Sequence, residues 1–420
     1  MASGSSQVCR SGLFGWLGLR RAAVLAATLA LSGAGLARAG TLVTITIPDR
    51  HGEIPSKWLS YPGPPRADVL LPAGYNAHKR YPLLVMLAGL GNDYASYAAL
   101  GADPLFDKLH AIVVVPEGAN GWYTDWWNNG RRGDPAWESY ELNEVLPTVL
   151  RRYPILPQRR YHAIAGVSMG GLGAAYLGGR LPGFFGSVAT LSGFVDTEYY
   201  ADVVDPGMGA ASYAVPNGDD DPDPVDGPPD GFYMTGHNPT ALAVNLKQTR
   251  VFESTGTGTP SSAGLGAPTA VPEGSALEIL AIYPMNQLYA RALRAAGVEL
   301  TYQVHPGGHD IPDFFGELES MLAWGPFKPV VTQPGSWAND TVATSGQLWD
   351  IGYRFARPPD QVVQFRRSRS SLSITAAGSG VTITTSQGCV IRTPTPASIS
   401  LPRHPCSARR SRSHRRPRET

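Results

Sequence analysis

The chain has 420 residues, enough for one large domain and a smaller one, and its 43% hydrophobic and 16% charged content excludes a disordered protein. A formal net charge of +1 gives no reason to expect a nucleic-acid partner. The three cysteines form no Cys-x-x-Cys pair, so we expect no zinc or other metal site. No cofactor is expected either.

The N-terminus has the pattern of an export signal. Arg20 and Arg21 precede an apolar run over 22–31, and Ala-Arg-Ala at 37–39 offers a small-x-small cleavage site. The run is too short to span a bilayer comfortably, and the paired arginines are a feature of twin-arginine signals. Residues 1–39 are therefore predicted to be a signal peptide, and the protein to be secreted or associated with the cell wall.

Residues 40–328 alternate between strand and helix patterns. Apolar residues alternate with Thr over 41–47, which is typical of an edge strand. Continuous apolar runs indicate buried strands, and apolar residues at helical spacing indicate amphipathic helices. The further strands are predicted at 68–71, 81–87, 111–115, 161–165, 187–191, 250–252 and 298–304, and the helices at 138–152, 171–181 and 276–296. Such alternation predicts an α/β-hydrolase domain, a doubly wound and mostly parallel sheet.

The C-terminal region has a different composition. Residues 329–405 are rich in Thr, Ser, Val and Gly, and the segments 371–374 and 381–384 alternate with period two, so a small β-rich domain is predicted. Cys389 and Cys406 are the two cysteines that remain in the exported protein, which enters an oxidising compartment. The sequence leaves open whether they form a disulfide or stay as two free thiols. Residues 406–420 are predicted to be a basic disordered tail.

The chemistry is concentrated in Gly166-Val167-Ser168-Met169-Gly170, which follows a predicted strand and opens a predicted helix. Gly-x-Ser-x-Gly in that context is a nucleophile elbow, a turn so sharp that it exposes the serine hydroxyl. Ser168 is the candidate nucleophile. The oxyanion-hole donors are expected to be the N–H groups of Met169 and Leu90, which stands between two glycines after the 81–87 strand.

A serine nucleophile needs a histidine base and an acid that orients it. His309 lies on a glycine-rich loop after the last predicted strand and is favoured over His305, which lies at the end of that strand. Position leaves three candidate acids open: Glu253, Glu273 and Glu278.

The chain resembles the esterase D-like branch of α/β-hydrolases, which includes S-formylglutathione hydrolases, feruloyl esterases and mycobacterial mycolyltransferases. The resemblance rests on segments that include YPLLVMLAGLGNDYASY, AGVSMGGLGAAYLGG and ALEILAIYPMNQLYARALRAAGVELTYQVHPGGHDIPDFF. It implies ester chemistry through an acyl-enzyme. It also implies that the acid is Glu278, because mycolyltransferase-like members carry theirs in a Leu-Glu pair near the start of this helix.

This chain departs from that branch at several positions, and these positions bear on which of the branch's activities is expected. Ala88 and Gly91 stand where mycolyltransferases carry an acidic residue and an arginine, and Asp310-Ile311 replaces their Ser-Trp after the histidine. Many hydrolases of the branch have His at the place of Ala88. Neither trehalose mycolyl transfer nor formylglutathione hydrolysis is therefore expected.

Two other features of the sequence bear on substrate and ion binding. Trp122, Trp126 and Trp127 follow the 111–115 strand and are candidates to line a substrate pocket or to pack in the core. The acidic loop at 217–230 lacks the spacing of a calcium loop and is expected to be solvated.

The sequence thus predicts a secreted serine esterase that acts on a small-molecule, lipid or polysaccharide ester. One alternative is an acyltransferase that uses a sugar alcohol as acceptor. The other is a non-catalytic surface protein that binds polysaccharide on a hydrolase scaffold.

Overall fold

A sheet of eight strands forms the centre of the structure, a computed structural model that describes residues 40–204, 225–259, 273–402 and 405–406. The strands before the C-terminal region are β1 (Thr41–Thr46), β2 (Arg66–Leu71), β3 (Leu83–Leu87), β4 (Ile112–Pro116), β5 (Asp125–Trp126), β6 (Gly133–Ala136), β7 (His162–Val167), β8 (Ser187–Leu191), β9 (Arg250–Gly256) and β10 (Glu299–His305). Strands β5 and β6 form a separate two-stranded ribbon.

The central sheet has the order β1-β2-β4-β3-β7-β8-β9-β10. Strands β1 and β2 are antiparallel to their neighbours, whereas the pairs from β4 through β10 are all parallel. The chain runs from β3 to β4 on one side and later adds β7 on the other side. At such a reversal of the strand order, the loops that follow the two neighbouring strands run to opposite faces of the sheet. The carboxyl ends of β3 and β7 therefore border the crevice where ligands bind in open α/β sheets.

Helices cover both faces of the sheet. They are α1 (Ser96–Ala99), α2 (Asp103–Asp107), α3 (Trp137–Tyr140), α4 (Leu146–Arg152), α5 (Met169–Arg180), α6 (Thr197–Tyr199), α7 (Phe232–Thr235), α8 (Glu273–Leu277), α9 (Tyr283–Ala296) and α10 (Ile311–Trp324). Buried apolar side chains of α4, α5 and α9 form one core on one face, and those of α1, α2 and α10 form a second core on the other. This is the doubly wound arrangement that the alternating pattern predicted.

Two of the predicted helices contain a π-helical turn. The helix predicted at 138–152 consists of α3, a π turn at Glu141–Val145 and α4. The helix predicted at 276–296 begins earlier, with α8, and passes through a π turn at Glu278–Ile282 into α9. Single π turns inside helices are frequent at functional sites because they shift the register of the side chains.

The C-terminal region forms two further sheets of four strands. Their strands are β11 (Ser336–Thr341), β12 (Ser345–Leu348), β13 (Ile351–Phe355), β14 (Val363–Ser368), β15 (Ser371–Ile374), β16 (Val381–Thr385), β17 (Val390–Thr393) and β18 (Ala397–Ser400). One sheet has the order β11-β14-β15-β18 and the other β12-β13-β16-β17, and both are antiparallel. Alternate residues of the two sheets share a third apolar core, so the predicted β-rich region is a sandwich.

Cys389 and Cys406 form a disulfide, which closes the alternative of two free thiols. No helix among the described residues has the length and hydrophobicity needed to cross a membrane. The predicted signal peptide, nearly all of the basic tail and most of the acidic loop at 217–230 lie outside the described residues.

Candidate active site

Ser168 stands at the sharp turn between β7 and α5. Its backbone has φ 56° and ψ −118°, a conformation that few side-chain-bearing residues adopt and that is typical of strained functional positions. The flanking glycines are required by contact: a methyl group on Gly166 would lie 2.0 Å from the Gly170 carbonyl oxygen, and one on Gly170 would lie 2.3 Å from that of Leu87. The Gly-x-Ser-x-Gly motif therefore forms the predicted elbow.

His309 reaches the serine from the loop between β10 and α10. Its Nε2 lies 2.8 Å from Ser168 Oγ, although the two residues are 141 positions apart. The loop is held on both sides, since the His309 N–H donates to the Gly274 carbonyl and the Gly308 N–H donates to Asp313. The Phe314 ring packs edge-on against the imidazole, with centroids 4.8 Å apart. These contacts fix the ring in the plane between serine and acid.

Glu278 occupies the first position of the π turn between α8 and α9 and is fully buried. Its Oε2 lies 2.9 Å from His309 Nδ1, so the imidazole donates from Nδ1 and keeps Nε2 free to accept the serine proton. The other carboxylate oxygen accepts from Thr255 Oγ1 at 2.8 Å and from Ser192 Oγ at 2.9 Å. Both oxygens of this buried side chain are therefore hydrogen-bonded, as burial of a polar group requires.

The rival acids do not occupy this position. Glu253 was expected to follow a strand, but β9 continues to Gly256, so Glu253 lies inside the strand and points into the core. Neither of its carboxylate oxygens has a hydrogen-bond partner among the described residues, and burial raises its pKa well above the ordinary value. The side chain of Glu273 lies outside the described residues.

His305, the rival base, ends β10 and belongs to a second histidine–carboxylate pair. Its Nε2 donates to Glu317 Oε1 at 2.8 Å. That hydrogen bond raises the pKa of His305 to about 9, and burial raises the pKa of Glu317 to about 7 despite the opposing effect of His305. His305 and His309 have the spacing His-x-x-x-His, but each ring binds a different carboxylate. No group of three metal-ligating side chains occurs among the described residues.

Ser192 connects the two pairs. Its Oγ lies 2.9 Å from Oε1 of Glu278 and 2.9 Å from Oε1 of Glu317. One hydroxyl has a single proton to donate, so the two buried carboxyl groups compete for it unless Glu317 is itself protonated and donates to Ser192. The sequence analysis missed Ser192, Thr255 and Glu317. A search of the carboxyl ends of β8 and β9, which neighbour the elbow strand, would have found the first two.

The predicted oxyanion-hole loop lies against the nucleophile. A methyl group on Gly89 would lie 3.5 Å from Ser168 Cβ, so the loop after β3 packs on the elbow. Two buried tyrosines fix the end of that strand: Tyr97 donates to the Leu87 carbonyl and Tyr123 to the Ala88 carbonyl, each at 3.0 Å. Within the described part of the chain, no acceptor is bound to the N–H of Leu90 or Met169. Both groups are thus available to a substrate oxygen.

The three tryptophans differ in position. Trp126 is fully buried, donates its indole N–H to the Gly121 carbonyl and packs against Trp58, which is a core role. Trp127 packs on Tyr233 from α7. Trp122 is connected to the elbow: its ring lies 5.1 Å from that of Phe194, whose N–H donates to the Ser168 carbonyl. Trp126 has no exposed surface and therefore packs in the core, and a pocket-lining role stays a prediction for Trp122 and Trp127.

Comparison with known proteins gives a family match over most of the chain. A family model described as putative esterase matches residues 60–324. That span begins before β2 and ends with α10, so it contains Ser168, Glu278 and His309.

Named relatives match over shorter segments. Two Mycobacterium tuberculosis proteins, Esterase MT1326 and Esterase Rv1288, are each 32% identical over 133 residues, which is 31% of this chain and 29% of theirs. An endo-1,4-beta-xylanase/feruloyl esterase of Xylanibacter ruminicola is 31% identical over 143 residues, 30% of this chain and 19% of that protein. The chain thus covers less than a third of the length of these relatives.

Among solved structures, MPT51 (FbpC1) of Mycobacterium tuberculosis superposes with a TM-score of 0.51. It is 20% identical, and the match covers 69% of this chain and 98% of that one. At this identity the likeness shows a shared α/β-hydrolase fold.

Proposed function

Because the chain belongs to the putative esterase family, we propose that it is a serine carboxylic-ester hydrolase whose catalytic residues are Ser168, His309 and Glu278. One observation carries the proposal: His309 Nε2 lies 2.8 Å from Ser168 Oγ, and His309 Nδ1 lies 2.9 Å from Glu278 Oε2. A nucleophile bound to a base that is oriented by an acid is the arrangement that activates a serine.

In the first step Ser168 Oγ attacks the ester carbonyl carbon and its proton passes to His309 Nε2. The imidazolium that forms is stabilised by Glu278, whose second oxygen is hydrogen-bonded by Thr255 and Ser192. The carbonyl oxygen becomes an oxyanion. The N–H groups of Leu90 and Met169 bind it, and the second stands at the positive end of α5.

In the second step the tetrahedral intermediate collapses, and the bond to the alcohol oxygen breaks. His309 returns its proton to that oxygen, and the acyl group stays on Ser168. A water molecule then gives its proton to His309 and attacks the acyl-enzyme. Release of the acid restores the serine.

The substrate is an ester of a small molecule, a lipid or a polysaccharide, and the protein acts outside the cell or at the cell wall. The export pattern at 1–39 and the Cys389–Cys406 disulfide support this location. A sugar alcohol in place of water would make the same acyl-enzyme an acyltransferase. Product analysis with and without an acceptor sugar separates the two, since only transfer yields an acylated sugar.

The test is labelling with a fluorophosphonate probe, followed by mapping of the adduct by peptide mass spectrometry. We expect a single adduct on Ser168 that is absent in Ser168→Ala and strongly reduced in His309→Ala. Ser320→Ala is the matched control, because Ser320 is a partly exposed serine on α10 bonded only to the Gly316 carbonyl. A folded protein without an adduct on Ser168 would contradict the proposal and favour a non-catalytic binding protein.

A further inference from the structure

A cleft of about 820 Å³ lies between the β12-β13-β16-β17 sheet and the hydrolase body, at the end of α5 remote from Ser168. Ser168 caps the first residue of α5, whereas Arg180, at its last turn, lines the cleft. Twelve residues of helix span about 18 Å, so this cleft is separate from the catalytic crevice. Its volume is in the range of pockets that bind small molecules or oligomer segments.

One wall of the cleft is the outer face of the β12-β13-β16-β17 sheet. Arg354, Thr382 and Arg392 are directly opposite one another on β13, β16 and β17, so their side chains share that face. The two arginines are two strand spacings apart, about 10 Å. Both are exposed, and neither has a hydrogen bond or ion pair with any of the described residues.

The opposite wall and the floor are positive or neutral. Arg132 lies over the rings of Tyr233 and Phe232 and donates to the Pro359 carbonyl at 2.5 Å, which fixes its guanidinium at the rim. On the floor, Arg180 donates to Glu138 at 2.5 Å, and the two buried charges cancel.

The remaining acid of the lining is Asp125. Burial, with the charge of Glu138, raises its pKa to about 7, so it carries only part of a negative charge at neutral pH. Arg354 and Arg392 therefore face the cleft without a paired acid among the described residues, while the charge of Asp360 acts on Arg132; the two sheet arginines create a field that attracts anions.

The other lining groups are hydroxyls and amides. Between and beside the arginines stand Ser345, Gln347, Thr382 and Thr384, and the facing wall adds Ser139 and Asn143. Such side chains donate to and accept from hydroxyl groups, whereas the lining tyrosines, Tyr233 and Tyr353, are buried and offer no exposed ring for base stacking. The lining fits a ligand that combines acidic groups with many hydroxyls.

We propose that this cleft is a second, non-catalytic site that binds an acidic oligosaccharide of the uronic-acid class, with Arg354 and Arg392 on its carboxylates. A guanidinium group binds a carboxylate with two parallel hydrogen bonds. The spacing of the two arginines selects a ligand whose carboxylates recur along a chain. The site would hold a polymer at the protein surface without entering the ester chemistry.

The test is calorimetric titration of the full chain with three probes: hexagalacturonate, neutral maltohexaose and hexaglutamate. We expect hexagalacturonate to bind, with an affinity that falls as salt is raised, and the other two to bind at least about tenfold more weakly. Arg354→Ala/Arg392→Ala should weaken hexagalacturonate binding at least about tenfold and leave 4-nitrophenyl acetate turnover unchanged.

The matched control is Arg151→Ala/Arg291→Ala, which removes the same charge from exposed helix positions outside the cleft and should bind like the wild type. Equal loss of binding in both double variants, or no binding of hexagalacturonate by the wild type, overturns the proposal. If hexaglutamate bound as tightly as hexagalacturonate, the cleft would recognise charge alone. If maltohexaose bound as tightly, the arginines would not contribute to binding. Each of these two results overturns the assignment.

Discussion

The Oε2 atom of Glu278 lies 2.9 Å from Nδ1 of His309, and the two residues are 31 positions apart in the chain. A π turn places the carboxylate, and a glycine-rich loop places the imidazole. The two pieces meet because β9 and β10 are adjacent and parallel, so the segments after them emerge at the same edge of the sheet.

Replacement of Glu278 by Gln should lower kcat for a 4-nitrophenyl ester by about 10²–10⁴-fold, because an amide cannot stabilise the imidazolium and favours the wrong tautomer. Glu253→Gln is the matched control: it removes a buried carboxyl that does not contact His309. Its kcat should stay within about threefold of the wild type. A larger loss in Glu253→Gln than in Glu278→Gln would identify Glu253 as the acid instead.

Thr255→Val removes one of the two hydroxyl donors to Oε1 of Glu278 at nearly constant volume. A hydrogen bond to a charged group is worth about 1.5–3 kcal/mol, so we expect kcat to fall about tenfold with little change in KM. Thr257→Val should keep the wild-type kcat, because among the described residues the Thr257 hydroxyl bonds only to Thr259 and the backbone hydrogen bond to His305 is retained. A rise in KM at constant kcat in Thr255→Val would mean that Thr255 acts on substrate binding and not through Glu278.

The His305–Glu317 pair should make stability depend on pH. The folded-state pKa of His305 is raised from 6.5 to about 9, and that of Glu317 from 4.5 to about 7. For a raised pKa, the stabilisation is fully present below the unfolded value and is lost as pH rises through the folded value. Relative to the His305→Gln/Glu317→Gln variant, the wild type should therefore lose stability as pH rises from about 4.5 to about 9.

The measurement is the thermal midpoint of both proteins at each pH, with the difference plotted against pH. The charged groups that face the pair are Asp313, near His305, and Glu278, near Glu317, and both are kept in the double variant. A difference that is flat, or that grows toward alkaline pH, would show that the pair does not titrate in this way.

Gly170→Ala should destabilise the elbow severely, because the added methyl would lie 2.3 Å from a backbone oxygen of β3. We expect a loss of about 2 kcal/mol or more in the free energy of unfolding, measured by urea titration, together with a loss of ester turnover. Gly316→Ala is the control on the exposed face of α10. Nothing lies within 4 Å of its added methyl, so it should stabilise the helix by about 0.5–1 kcal/mol.

Local signals in the sequence predicted most of the fold and two of the three candidate catalytic residues. Apolar runs and helical spacing predicted the strands and helices of the central sheet, because burial of each face imposes that periodicity. Ser168 was identified because its strained turn requires glycines at fixed offsets, and His309 because it follows the last strand on a glycine-rich loop. Each of these two signals lies within a short run of contiguous residues.

The choice among the acids required the tertiary structure. From the chain alone, Glu253 and Glu278 were equally placed, and a resemblance to a family favoured the second. In the structure, strand β9 extends past its apolar run to Gly256, so Glu253 lies inside the strand and is fully buried, whereas Glu278 lies beside His309. Where a strand ends depends on the neighbouring strands with which it pairs as well as on local sequence.

The sequence by itself determined the fold class and the elbow, since periodicity and glycine spacing are local properties of the chain. Only the tertiary structure decided which side chains contact Glu278 and how the cleft beside the β-sandwich is lined. Ser192 and Thr255 contact Glu278 across 86 and 23 positions, and Arg354 faces Arg392 through strand register. Contacts of this kind arise when distant segments pack together, so they cannot be detected from periodicity along the chain.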